Sequence, residues 1–195
     1  LKSKIVVYTT SWGCSKIRKR MKINREWAMP NRWTFAILPI AALLRRYVPA
    51  GGTNWIDPFA GETSPAEITN DLNPERPTKY HLYAHEFAAQ LDGHYDGVLF
   101  DPPYNLSQIK ECYQNIGATV PDNYQLDASF GSVKDILAHK IKGGGIAISF
   151  GWSSAGFGIA RGFEIEEILL VPHGGPHYDT IVTVERKKLE LFNSL

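Results

Sequence analysis

The chain has 195 residues, of which 44% are hydrophobic and 21% charged, the proportions of one ordinary globular domain, which argue against a disordered tail, a collagen-like rod and a coiled coil. Its longest apolar stretch, Phe35 to Leu44, is broken by Pro39 and falls far short of the roughly 20 residues of a membrane span. The net charge of +1 hides a division, because residues 1–46 hold eleven Lys and Arg against the single acid Glu26, while the remainder holds ten against nineteen Asp and Glu.

In chain order, a basic extension over residues 1–23 comes first, and residues 24–195 form a single domain. Lys16, Arg18, Lys19 and Arg20, with Trp12, Trp27 and Trp33 interleaved, suit a track along a phosphate backbone and equally suit a solvated arm. Leu1 to Tyr8 lacks the apolar core and cleavage site of a secretory signal. Strand-like runs end in turn signals at Thr53 to Asp57, Glu67 to Asp71, Tyr80 to Tyr83, Gly97 to Phe100 and Gly145 to Phe150. They predict a parallel sheet. Helical spacing over Leu106 to Ile116 and Val133 to Ile141 supplies crossovers, and Gly143 to Gly145 reads as a turn. Glu164 to Val171 and Thr180 to Glu185 predict an antiparallel hairpin at one side of the sheet. Between Asp57 and Glu67 a full helix does not fit, so one sheet face lacks its usual cover. The segment Phe35 to Tyr47, apolar at Phe35, Ile37, Leu38, Ile40, Leu43, Leu44 and Tyr47, is expected to fill that gap, with a second subunit as the alternative. Cys14 and Cys112 stand far apart without a CxxC or Cys/His cluster, which fits a reducing, cytoplasmic compartment and gives neither a disulfide framework nor a metal site.

The sharpest motif is Asp101-Pro102-Pro103-Tyr104, delivered by the apolar run Val98-Leu99-Phe100 to the strand end where ligands sit in open α/β sheets. An amine conjugated to a purine ring is a poor nucleophile. A carboxylate and a prolyl carbonyl can each accept one of its N–H bonds, a second proline stiffens the turn, and a tyrosine offers a face for a flipped base. Upstream stand Asp57-Pro58-Phe59-Ala60-Gly61 after the first strand and Asp71-Leu72 after the second; an acid there suits ribose hydroxyls. His173 and His177 are four apart, but in a segment with two glycines and a proline, so they read as loop histidines and no metal is expected.

With these motifs the chain resembles the amino-methyltransferases marked by D-P-P-Y. The further matches S-F-G-W (149–152), R-G-F-E (161–164), E-I-L-L-V (167–171) and D-T-I-V-T-V-E-R-K (179–187) make it similar to the small adenine-specific DNA methylases of phages and bacteria. The likeness spans roughly residues 24 to 188. It implies an α/β, Rossmann-like S-adenosylmethionine-dependent methyltransferase fold: a mostly parallel sheet, a C-terminal antiparallel hairpin and reduced crossover helices after the first strands. It implies transfer of a methyl group to adenine N6 in DNA, with Asp101, Pro102, Pro103 and Tyr104 catalytic. It assigns S-adenosylmethionine to Phe35 (in Asn31-Arg32-Trp33-Thr34-Phe35), Asp57, Pro58, Phe59, Ala60, Gly61, Asp71 and Leu72. Departures exist: Glu62-Thr63-Ser64-Pro65 replaces a second glycine and helix, and Tyr83 stands where the family carries an acid, leaving Glu86 or backbone groups for the adenine ring of the cofactor. The expected partners are DNA and a homodimer mate or specificity subunit, in a setting such as restriction–modification or a phage. Transfer to RNA adenine and a non-catalytic nucleic-acid-binding subunit remain alternatives; a protein-glutamine methyltransferase fits less well, since its motif tends to begin with Asn.

Overall fold

The computed structural model describes residues 20–120 and 126–189. Among them seven strands form one sheet: β1 (Lys22–Arg25), β2 (Trp55–Asp57), β3 (Ile68–Thr69), β4 (Tyr95–Phe100), β5 (Ile141–Gly151), β6 (Phe163–Val171) and β7 (Thr180–Lys187). Their order is β1-β6-β7-β5-β4-β2-β3, and β7 alone runs antiparallel to its neighbours. Four helices join them: α1 (Leu38–Tyr47), α2 (Ala84–Gln90), α3 (Leu106–Gln114) and α4 (Leu126–Lys140). From β2 the chain passes outward to β3 and then back across to β4 on the other side, which puts the topological switch at the C-terminal ends of β2 and β4.

The faces are covered unequally. Alternation along the strands sends Leu99, Ile146, Ile148, Phe150, Val182 and Val184 to one face, where α1 packs Ile40, Leu43 and Leu44 against them. Pro39 in its first turn and Arg45 and Arg46 in its last suit the helix ends. The expected filling of the gap by residues 35–47 is therefore what the fold shows, except that Leu38 points to solvent at 77% exposure. The opposite face carries Val98, Phe100, Ala147 and Ile56 under α2 and α4, through Phe87, Leu91, Val133 and Leu137. No helix intervenes between β2 and β3, as the short connection requires.

Four differences from the sequence reading have local causes. Tyr80 to Tyr83 is no strand: a single bridge joins Tyr80 to Asn70, and beyond it the Asn70 side chain takes the place of a neighbouring backbone, accepting from Leu82 N at 2.9 Å and donating to Leu82 O at 3.0 Å. Gly143 to Gly145 is no separate turn but an irregular stretch inside β5, where the register against β4 slips. The hairpin is not the sheet's margin, because β1 pairs in parallel outside β6. That strand straddles the expected boundary at residues 23 and 24. Finally, α4 starts at Leu126, ahead of the Val133 at which the helical spacing begins.

Candidate active site

The C-terminal ends of β2 and β4 open into a cavity of about 760 Å³, within the range of small-molecule sites. Pro102 and Pro103 carry the chain from the end of β4 to Asn105, whose side chain caps α3 by accepting from Gln108 N at 2.9 Å. The tetrapeptide is thus pinned at both ends, and Tyr104 N donates to Gln108 Oε1 at 2.6 Å. All four of its residues line the cavity. Tyr104 donates its hydroxyl to Asp101, and Thr34, in the 3-10 turn Thr34–Ala36 before α1, hydrogen-bonds the same carboxylate. Burial pushes Asp101 up to about 6 against these two bonds, and burial together with the Asp101 charge holds the Tyr104 hydroxyl well above its ordinary range.

Pro58, Phe59, Ala60 and Gly61 form the adjoining wall. Gly61 has φ +55, and a side chain there would meet the Trp33 ring at 2.9 Å, so the indole lies directly on the loop. Arg76 and Arg32 stack on that indole at 5.1 and 5.2 Å. Asp71 binds the loop to its own turn by accepting from Gly61 N at 3.0 Å and from Asn73 N at 2.8 Å, and it lines the cavity beside Leu72. Each of its oxygens keeps acceptor capacity for a ligand hydroxyl. Phe35 also reaches the cavity while belonging to the core, 5.1 Å from Phe150.

Asp57 lies beneath the cavity rather than in its wall. It is fully buried and accepts from Phe59 N at 2.9 Å and Ser64 Oγ at 2.6 Å, so it shapes the 58–64 loop from below. Burial, helped by the Asp101 and Asp71 charges, raises it to about 7 in spite of those bonds. Of the basic set, Lys16, Arg18 and Lys19 lie outside the described residues, and Arg20 is exposed just before β1. Glu86 is not in the cavity wall, whereas Leu82, Tyr83, Ala84 and His85 are. His173 is buried with both ring nitrogens engaged, Nδ1 at 2.8 Å from Ala28 O and Nε2 at 2.9 Å from Thr180 Oγ1; among the described residues no group of His, Cys, Asp and Glu is placed to hold a metal. Sequence reasoning missed Gln108, Cys112 and Tyr113, which face the cavity from α3. The spacing of four from Tyr104 to Gln108 across an Asn cap is the signal that was there to be read.

No family model matches the chain, and no curated protein does. Solved structures do share its fold. TrmN from Thermus thermophilus superposes with a TM-score of 0.53 at 17% identity over 77% of this chain and 49% of that one, so the chain spans about half the length of that protein. The N-methyltransferase NodS from Bradyrhizobium japonicum WM9 gives 0.51 at 10% identity over 76% of this chain and 93% of that one. The 1,6-didemethyltoxoflavin-N1-methyltransferase of Burkholderia thailandensis, whose structure contains S-adenosylhomocysteine, gives 0.45 at 14% identity over 69% and 70%. The fold is the Rossmann-like methyltransferase fold, with a mostly parallel sheet and C-terminal antiparallel strands.

Proposed function

We propose that the chain is an S-adenosylmethionine-dependent methyltransferase acting on the exocyclic N6 of adenine in DNA. The observation that carries the reading is the presentation of Asp101-Pro102-Pro103-Tyr104 at the end of β4, on the same cavity as the Gly61 loop and Asp71. Phe35, Pro58, Phe59, Ala60, Gly61, Asp71 and Leu72 would hold the cofactor, with Asp57 bracing their loop. Asp71 and Asp101 face the cavity, which Arg32 and Arg76 also line, and a positive group placed beside either carboxylate is favoured. When bound, S-adenosylmethionine supplies an electrophilic methyl group on a cationic sulfonium.

The chain's own residues handle the amine. Asp101 accepts one N–H of the exocyclic nitrogen, which takes the place of the Tyr104 O–H that donates to that carboxylate. The Pro102 carbonyl accepts the other N–H. Held by both, the nitrogen directs its lone pair away from the ring plane, a gain of positioning and electrostatics. The Tyr104 ring stacks on the base, offsetting the few kcal/mol of extruding it. Asp101, with its affinity for protons raised, receives the proton the nitrogen sheds after transfer.

A second reading, transfer to adenine in RNA, uses the same residues, and the exposed Trp152 and Tyr178 rings beside the cavity suit unpaired bases of either polymer. Labelled methyl transfer to DNA and to RNA of the same sequence, followed by nucleoside analysis, tests both. N6-methyladenine in DNA is expected, falling at least about a hundredfold in Asp101→Ala while cofactor affinity stays within a few-fold. Product in RNA alone selects the second reading; no product in either, with cofactor bound, overturns both.

A further inference from the structure

Beyond Tyr104 the aromatic surface continues outward. The Trp152 ring lies 5.7 Å from that of Tyr104, and the Tyr178 ring lies 4.4 Å from Trp152 at an interplanar angle of 32°. These rings come from separate loops, one following β5 and the other joining β6 to β7, and they meet outside the core. Trp152 is 42% and Tyr178 71% exposed. Two large rings stacked on each other in water are surface that a single target base, held at Asp101 and Tyr104, does not use.

The footing of the platform is rigid. His173 anchors the β6–β7 loop to Ala28 and Thr180, and Ala28 N donates to Pro172 O at 3.2 Å. The exposed Trp27 places its indole nitrogen 3.4 Å from where a side chain on Gly174 would begin. Charge accompanies the rings. The described stretch from Arg20 through β1 to the cavity wall carries Arg20, Lys22, Arg25 and Arg32 against Glu26, and every residue of β1 is exposed. Since β1 runs parallel to β6, it leads toward the cavity end of the sheet.

We infer that Trp152 and Tyr178 are a stacking platform for the nucleotide next to the target base, that the cationic β1 edge carries the adjoining phosphates, and that the form of substrate engaged is single-stranded DNA. The inference rests on the proposed nucleic-acid function for the target base and adds to it the state of the strand. Bases in an intact duplex keep their faces against one another and cannot lie on exposed protein rings, whereas an unpaired base stacks on them without regard to sequence. An edge of positive charge that meets phosphates adds affinity and position along the strand without reading its sequence.

The test is fluorescence anisotropy of the full chain with a labelled adenine-containing single-stranded DNA of about 12 nucleotides, its duplex, and RNA of the same sequence. Single-stranded DNA binds tightest. Trp152→Ala and Tyr178→Ala each weaken it about tenfold or more, Trp152→Phe restores most of the loss, and Arg25→Gln lowers the salt slope by about one. Thermal melting and cofactor titration of each variant separate these losses from misfolding. Wild-type binding by both alanine variants overturns the platform, and a preference for duplex or binding of RNA alone overturns the single-stranded DNA assigned to it. The two readings fail separately: platform-dependent binding without methyl transfer sinks the proposed activity, and transfer unaffected by either alanine variant sinks the platform.

Discussion

Asp101 holds its proton more tightly than an ordinary aspartate because protein surrounds it, and that sets a pH at which it can work. Burial raises it to about 6. The role proposed for it needs the ionised form, so kcat/KM is expected to fall as pH drops through about 6 and to level off above 7, with Asp101→Asn flat and low throughout; a pH–rate profile on short oligonucleotides checks this. Asp57 is the counterweight. Its folded-state value, about 7, lies above that of the unfolded chain, so its ionisation costs stability increasingly as pH rises from about 4 to 7. Much of this site was legible in advance, since Asp101 to Tyr104, Pro58 to Gly61, Asp71 and Leu72 are adjacent in sequence to strand ends and fall on one cavity. Thr34 was not legible as a partner of Asp101, because 67 positions of chain separate them and only the packing of the turn before α1 brings the hydroxyl to the carboxylate. Asp57 was legible as important but not as buried: the motif names the residue and leaves open whether it points up to a ligand or down to a loop.

At the scale of elements, β2 and β4 meet through one unequal pair. Trp55 is opposite Gly97, and a side chain on Gly97 would sit 2.6 Å from the indole ring, which is itself 2% exposed. Gly97→Ala is expected to cost about 1–3 kcal/mol through overpacking, read as a lowered urea midpoint with an unchanged m-value. The apolar strands β4 to β7 could be read from alternation and β-branched runs, and α1 from its spacing, because burial imposes period and composition on them. Two edges escaped. Lys22 to Arg25 has no apolar period and is a strand only because β6 offers it a ladder; Tyr80 to Tyr83 has the right residues, but the Asn70 amide satisfies Leu82 in place of a strand. Edge assignments depend on what lies alongside, and a single sequence does not contain that.

Across the whole molecule one buried carboxylate joins parts that are remote in the chain. Glu167 of β6, 1% exposed, accepts from Asn24 Nδ2 of β1 at 2.9 Å and from Arg46 and Tyr47 of α1 at 2.6 and 2.8 Å. Burial works to raise Glu167, and the bonds from Tyr47 and Arg46 outweigh it, leaving its proton affinity below the ordinary level. Its contribution to stability is therefore present above the unfolded value near 4.5 and lost as pH falls through the lower folded value. Glu167→Gln is expected to be less stable by about 1–2 kcal/mol at pH 7, Arg46 being half exposed, with the difference shrinking as pH falls below the unfolded value near 4.5; urea unfolding at pH 7 and across a series of acid pH values checks it. The same contact has a consequence in time. Asn24 and Glu167 are 143 residues apart, so during synthesis the β1 and α1 partners of Glu167 leave the ribosome long before it, and the tie among β1, α1 and β6 forms only when β6 has followed.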